Sequence, residues 1–269
     1  MPMIEENPPA IPVIALGTSA ARVVQDLNAQ MEGQLDLYPI TEAIEDVPQI
    51  LFSYESPYRF LFYNRTEVPP DIVKKFGTAA KINGRVLGFE IAAGHEVLRT
   101  SWQMGTNLLI RTDSEDACRT AAAPILHMAL QHEDFSWIDI EDVFSLFDGT
   151  DLARVGMATA TGDLARSRAI AGTLRSIGWP PSSLRGLLLN ISGSKYNMSM
   201  MEINTLMDTV MNKIAEDGNM IWGTSIDSAL GDTVQVTAIA TRGWRQESTD
   251  ACNWISHMVD VSFQEDDEN

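Results

Sequence analysis

With 269 residues, 45% of them apolar and 21% charged, the chain has a globular composition and enough length to bury one large core or two of ordinary size. Nineteen basic against 37 acidic residues give a formal charge of −18, which excludes non-specific nucleic-acid binding and anionic membranes as the main business, since both need a basic face. No run approaches the roughly 20 apolar residues of a membrane span, and the opening has no basic segment ahead of an apolar one, so no direct membrane insertion and a cytoplasmic location are expected. Cys118 and Cys252 are too few for a disulfide framework, and His95, His127, His132 and His257 lack metal-ligand spacing, so no metal site is expected.

In chain order, residues 11–17 (Ile-Pro-Val-Ile-Ala-Leu-Gly) read as a strand closed by glycine. Residues 18–31 follow as a helix with Ala21, Val24, Leu27 and Met31 along one side, capped by Thr18 or Ser19. Residues 35–40 complete a βαβ unit, the arrangement that puts a helix N-terminus, and often a phosphate, at the end of the first strand. Gly17, Thr18 and Ser19 are the cofactor-binding candidates there, but the turn has a single glycine where a phosphate loop needs several. Arg22 is one turn further on, either facing an anion or simply facing solvent.

The aromatic segment 49–62, broken at Pro57, reads as two strands or a hairpin, its aromatic residues more readily core than surface. A short helix over 71–76 and strands over 84–92 and 106–111 follow. Residues 114–132 form a helix with an acidic first turn, which Pro124 should kink or divide. Residues 137–143 (Trp-Ile-Asp-Ile-Glu-Asp-Val) place Asp139 and Asp142 three apart at the N-terminal end of a helix beginning near Ile140, where carboxylates cap and complement the dipole. A strand of small residues over 155–162 and a helix over 163–176 lead to the clearest stretch. Residues 186–193 read as a buried strand. Ser199 and Glu202 then make a capping box for a helix with Ile203, Leu206, Met207, Val210, Met211 and Ile214 on one face. Residues 220–223 and 234–241 are two further strands. A short helix over 248–257 and an acidic tail over 264–269 close the chain.

Residues 137–241 resemble the C-terminal half of the bacterial division GTPase FtsZ, of the tubulin superfamily. The matching features are the Asp139/Asp142 pair, Gly-Met-Ala-Thr-Ala-Thr-Gly at 156–162, Leu-Leu-Leu-Asn-Ile-Ser-Gly at 187–193, Gly-Thr-Ser-Ile-Asp at 223–227 and Val-Gln-Val-Thr-Ala-Ile-Ala-Thr at 234–241, in order and spacing. The resemblance implies an α/β fold of the tubulin/FtsZ type: a reduced Rossmann-like domain (1–113), a core helix (114–136), a C-terminal α+β domain with a four-stranded sheet (137–259) and an acidic tail (260–269). It also implies head-to-tail filaments in which the acidic loop of one subunit completes the GTP site of the next, so Asp139 and Asp142 are the catalytic candidates, in trans. The N-terminal half departs from the family. The Gly-Gly-Gly-Thr-Gly-Thr-Gly phosphate loop has no counterpart, and Trp137 replaces the asparagine usual near the acidic pair.

Three functions follow. The first is a non-GTPase FtsZ-like protein with no cofactor, assembling with itself or docking on an FtsZ-type protein through its acidic-loop face. The second is a divergent polymerising GTPase using GTP and Mg. The third is a dimerisation scaffold in which Asp139 and Asp142 are only helix caps.

Overall fold

Four of the described strands are buried on both sides, as parallel strands covered by helices on each face must be. The computed structural model describes residues 11–41, 57–92, 103–130, 140–147, 152–196 and 199–242, which fall into two units dividing after Leu130. The first contains β1 (Ile11–Leu16), α1 (Thr18–Gln30), β2 (Leu35–Ile40), β3 (Tyr58–Asn64), α2 (Pro70–Ala80), β4 (Arg85–Ile91), β5 (Leu108–Thr112) and α3 (Glu115–Ala129). Its strands lie in the order β2-β1-β3-β4-β5, all parallel.

One face of this sheet packs Ile14, Leu16, Leu61, Tyr63, Val86 and Leu109 against Val73, Phe76 and Ala80 of α2. The alternate residues point the other way, where Phe62 and Phe89 stack at 4.6 Å between ring centres, and where α1 and α3 pack on the strands and on each other. Two ion pairs join these helices: Arg22 to Glu115 at 2.6 Å and Arg119 to Asp26 at 3.0 Å. Arg22 is thus committed to α3.

The structure corrects several expectations. The aromatic segment is no hairpin over its described part, because β3 has parallel neighbours on both sides, β1 and β4. Residues 49–56 lie outside the described residues. Pro124 neither ends nor divides α3, which continues to Ala129; one lost amide donor is outweighed by packing along the helix. The short helix expected at 71–76 runs from Pro70, which suits the first helical position, to Ala80. Neither Thr18 nor Ser19 caps α1; the N-cap is Gly17.

The second unit contains α4 (Ile140–Leu146), β6 (Leu152–Thr161), α5 (Ala165–Ile177), β7 (Leu184–Gly193), α6 (Met200–Met211), β8 (Asn219–Ile226) and β9 (Thr233–Arg242). Its four strands run β6-β9-β7-β8, with β9 antiparallel to both neighbours and β7 parallel to β8. The strand, helix, strand, strand reading of residues 186–241 corresponds to β7, α6, β8 and β9, although α6 stops at Met211 and β8 extends to Ile226. Leu187, Leu189, Ile191, Val234, Val236 and Ala238 face Ile170, Leu174, Ile203, Met207 and Val210 across one core. Ser199 accepts from the Glu202 amide as a capping box requires, while the Glu202 carboxylate pairs with Arg166 of α5, so the cap also ties two helices together.

The small residues of β6 have a packing reason. A Cβ on Gly156 would lie 2.4 Å from the Thr173 carbonyl oxygen, and one on Gly172 would lie 2.8 Å from the Ala158 Cβ. Strand and helix touch backbone to backbone. Among the described residues, no helix is long and apolar enough to cross a membrane.

At the C-terminal ends of β3, β4 and β5 sits a buried ionic cluster. Glu90, fully buried, accepts from the Tyr63 hydroxyl at 2.7 Å and lies 3.4 Å from Arg111 and 3.8 Å from Arg65. Replacing one partner of such a group leaves opposing charges uncompensated. Glu90→Ala should therefore lower unfolding free energy by about 3–5 kcal/mol, read from the midpoint of a urea titration followed by circular dichroism.

Candidate functional site

In an open parallel sheet, ligands bind outside the carboxyl ends of the strands where the order of connections reverses. Here the reversal falls between β1 and β3: the chain runs from β1 through α1 outward to β2, and from β3 through α2 the opposite way to β4. The candidate site is accordingly the crevice between the turn after β1, which carries Gly17, Thr18 and Ser19, and the loop from Asn64 to Pro69.

A phosphate held there would need free backbone amides, and the amides of both segments are largely engaged. After β1, the Gly17 amide donates to the Ile40 carbonyl at 2.9 Å and the Ser19 amide donates to Glu67 Oε2 at 3.1 Å. After β3, the Arg65 amide donates to Ile91, and those of Glu67 and Val68 to the Asn64 carbonyl. The Thr66 amide donates to Asn64 Oδ1 at 2.9 Å, and Pro69 and Pro70 have none to give. The loop contains no glycine, so its backbone is built as a tight asparagine-anchored turn rather than as a cradle.

The Glu67 side chain spans the crevice. Its carboxylate accepts from the Ser19 amide and, on the other oxygen, from the Ser19 hydroxyl; Asn64 Nδ2 donates to the same Glu67 Oε1 at 3.4 Å and to Ser19 Oγ at 3.2 Å. A carboxylate at a helix N-terminus satisfies an otherwise unpaired amide and complements the dipole by roughly 0.3–1 kcal/mol. It also repels a second anion: unit charges 4 Å apart repel by about 1 kcal/mol in water and about 4 kcal/mol near a protein surface. The switch point thus holds one carboxylate from the chain itself and, in the loop after β3, no glycine.

Of the residues picked out by sequence, Gly17, Thr18 and Ser19 thus lie together at the switch point. Asp142 is elsewhere, exposed in the first turn of α4 beside Glu141 in the second unit, and Asp139 lies outside the described residues. Missed altogether were Asn64 and Glu67. The only signal available was Asn-Arg-Thr-Glu directly after an apolar strand; it acquires meaning once β3 is known to lie next to β1. Among the described residues, no three metal-ligating side chains cluster.

The C-terminal domain of the FtsZ family matches residues 152–243, which covers β6 to β9 with α5 and α6. The cell division protein FtsZ of Methanothermobacter thermautotrophicus is 31% identical over 108 residues, covering 38% of this chain but only 27% of that relative's length. Among solved structures, an empty FtsZ dimer of M. jannaschii superposes with a TM-score of 0.66 at 13% identity, covering 91% of this chain and 95% of that one. A CetZ protein of Methanosaeta thermophila gives 0.61 at 14% identity over 95% and 93%, and a CetZ of Haloferax volcanii in a GTPγS-bound protofilament gives 0.60 at 10% over 95% and 99%. The fold is therefore the mixed α/β fold of FtsZ and CetZ proteins. The sequence match to the FtsZ family is confined to the second unit, and the chain spans about a quarter of the length of the curated relative that it matches.

Cys118, on α3, is no hidden nucleophile. Burial pushes its thiol up to about 12, more than the Thr112 hydrogen bond and the Arg119 charge pull it down. Since only the thiolate reacts, Cys118 should remain unlabelled by iodoacetamide at pH 8 in the folded protein and become labelled in urea, as read by peptide mass mapping.

Proposed function

We propose that the chain is a cytoplasmic, non-GTPase FtsZ-like protein of cell division or the cytoskeleton, acting by protein–protein interaction. It assembles with itself, or docks on an FtsZ-type filament, through its acidic-loop face, for which Asp139 and Asp142 are the candidates in the sequence. The observation that supports this most is the state of the switch point, where the amides of Gly17, Ser19 and residues 65–68 already serve the chain's own oxygens, the Glu67 carboxylate among them. The acidic turn of α4 is retained, and so is the four-stranded unit behind it. Loss of the nucleotide cradle with retention of the acidic face suits a subunit that meets a partner's surface without a nucleotide of its own.

A second reading, a divergent polymerising GTPase using GTP and Mg at a subunit interface, draws support from the acidic face and from the similarity to a GTPγS-bound CetZ protofilament. Direct binding separates the two. Purified protein titrated with GTP or GDP in Mg should show affinity weaker than about 1 mM, less than about 4 kcal/mol of binding free energy. Micromolar affinity favours the GTPase. Co-sedimentation with an FtsZ-type filament should drop several-fold in Asp139→Asn/Asp142→Asn while the thermal midpoint moves little. The reverse pattern, lost stability with binding kept, reduces both residues to helix caps.

A further inference from the structure

Gly17 and Glu67 fit each other in a way that the absence of a glycine-rich cradle does not by itself require. Gly17 has a φ of +87°, and a Cβ built on it would lie 2.6 Å from Glu67 Oε2 and 3.3 Å from Glu67 Cβ. The one glycine in the turn after β1 therefore makes room for a carboxylate from the same chain, as glycines in phosphate loops make room for a ligand. On its other side, the same carboxylate is held by the Ser19 amide and hydroxyl and by Asn64. A backbone shaped for the close approach of an anion and a set of donors that bind one thus converge on a side chain 48 residues from Ser19.

We infer that Glu67 is a built-in anion that stands where a phosphate-class ligand would sit at the β1–β3 switch point and holds the crevice shut. The inference rests on the non-GTPase reading and adds to it the group responsible and the ligand class kept out. The engaged backbone amides of the Asn64–Pro69 loop are fixed by the fold. Glu67 is exposed, so its carboxylate is the removable part of the closure. Without it, the Ser19 amide and hydroxyl and the Asn64 amide group face the crevice as free donors at the positive end of α1.

The test titrates inorganic phosphate and GDP separately into the full-length wild type, Glu67→Gln and Glu67→Ala, by calorimetry and by the amide resonance of Ser19. Wild type should bind neither. Glu67→Ala should bind phosphate at least about tenfold more tightly than wild type, and Glu67→Gln, which removes the charge but keeps the bulk, should show a smaller gain. If both variants are folded and bind phosphate no better than wild type, the closure by Glu67 is overturned and the non-GTPase reading stands. Tight GDP binding by the wild type overturns both. If Glu67→Ala does not fold, Glu67→Gln decides the binding question. Stability gives a second readout: the loss caused by Gly17→Ala, whose methyl group meets the carboxylate, should shrink by about half when Glu67→Gln is replaced by Glu67→Ala as the background. Equal losses in the two backgrounds overturn the pairing.

Discussion

The first unit depends on the handedness of its strand connections. Parallel strands must be joined by right-handed crossovers, so a chain that moves outward one way from β1 and the other way from β3 places α1 and α2 on opposite faces. That leaves the turns after β1 and β3 side by side with no helix between them. Whatever occupies their shared crevice is decided by how these two segments use their amides. In this chain they use them internally, on Ile40, Ile91, Asn64 and Glu67. The position of the crevice follows from strand order, whereas the use made of its amides follows from a few hydrogen bonds.

The second unit answers to a different constraint. Its small residues are required by contact between α5 and β6, where Gly156 and Gly172 leave no room for a side chain. Its apolar residues interdigitate between one sheet face and two helices. Packing of this kind restricts residue identity over a long continuous stretch, which gives a physical reason for the family match to fall on residues 152–243. A parallel sheet of Val, Ile, Leu and Phe can be rebuilt with many combinations of similar volume, which suits a fold shared at 13% identity over 91% of the chain.

Charge is distributed with the same economy. Arg22 and Arg119 join α1 to α3, Arg166 joins α5 to the start of α6, and Arg65 and Arg111 surround the buried Glu90. Five of the 19 basic residues thus serve internal pairing. Among the described carboxylates, Glu141 and Asp142 form an exposed pair that opens α4.

The amino-acid order by itself determined what depends on neighbours close in the chain. The period of Ile203, Met207 and Val210 makes α6, Ser199 caps it, the apolar run from Ile11 makes β1, and the turn after it has the single glycine Gly17. It could not say whether the aromatic segment at Tyr58 pairs with an adjacent strand or with distant ones, because a fully apolar strand carries no directional signal. It could not give Pro124 its true effect, since the packing that holds α3 together comes from α1 and the sheet. Only the tertiary structure brought β3 next to β1 and so carried Glu67 to Ser19. A contact between residues 48 apart leaves no trace in local periodicity.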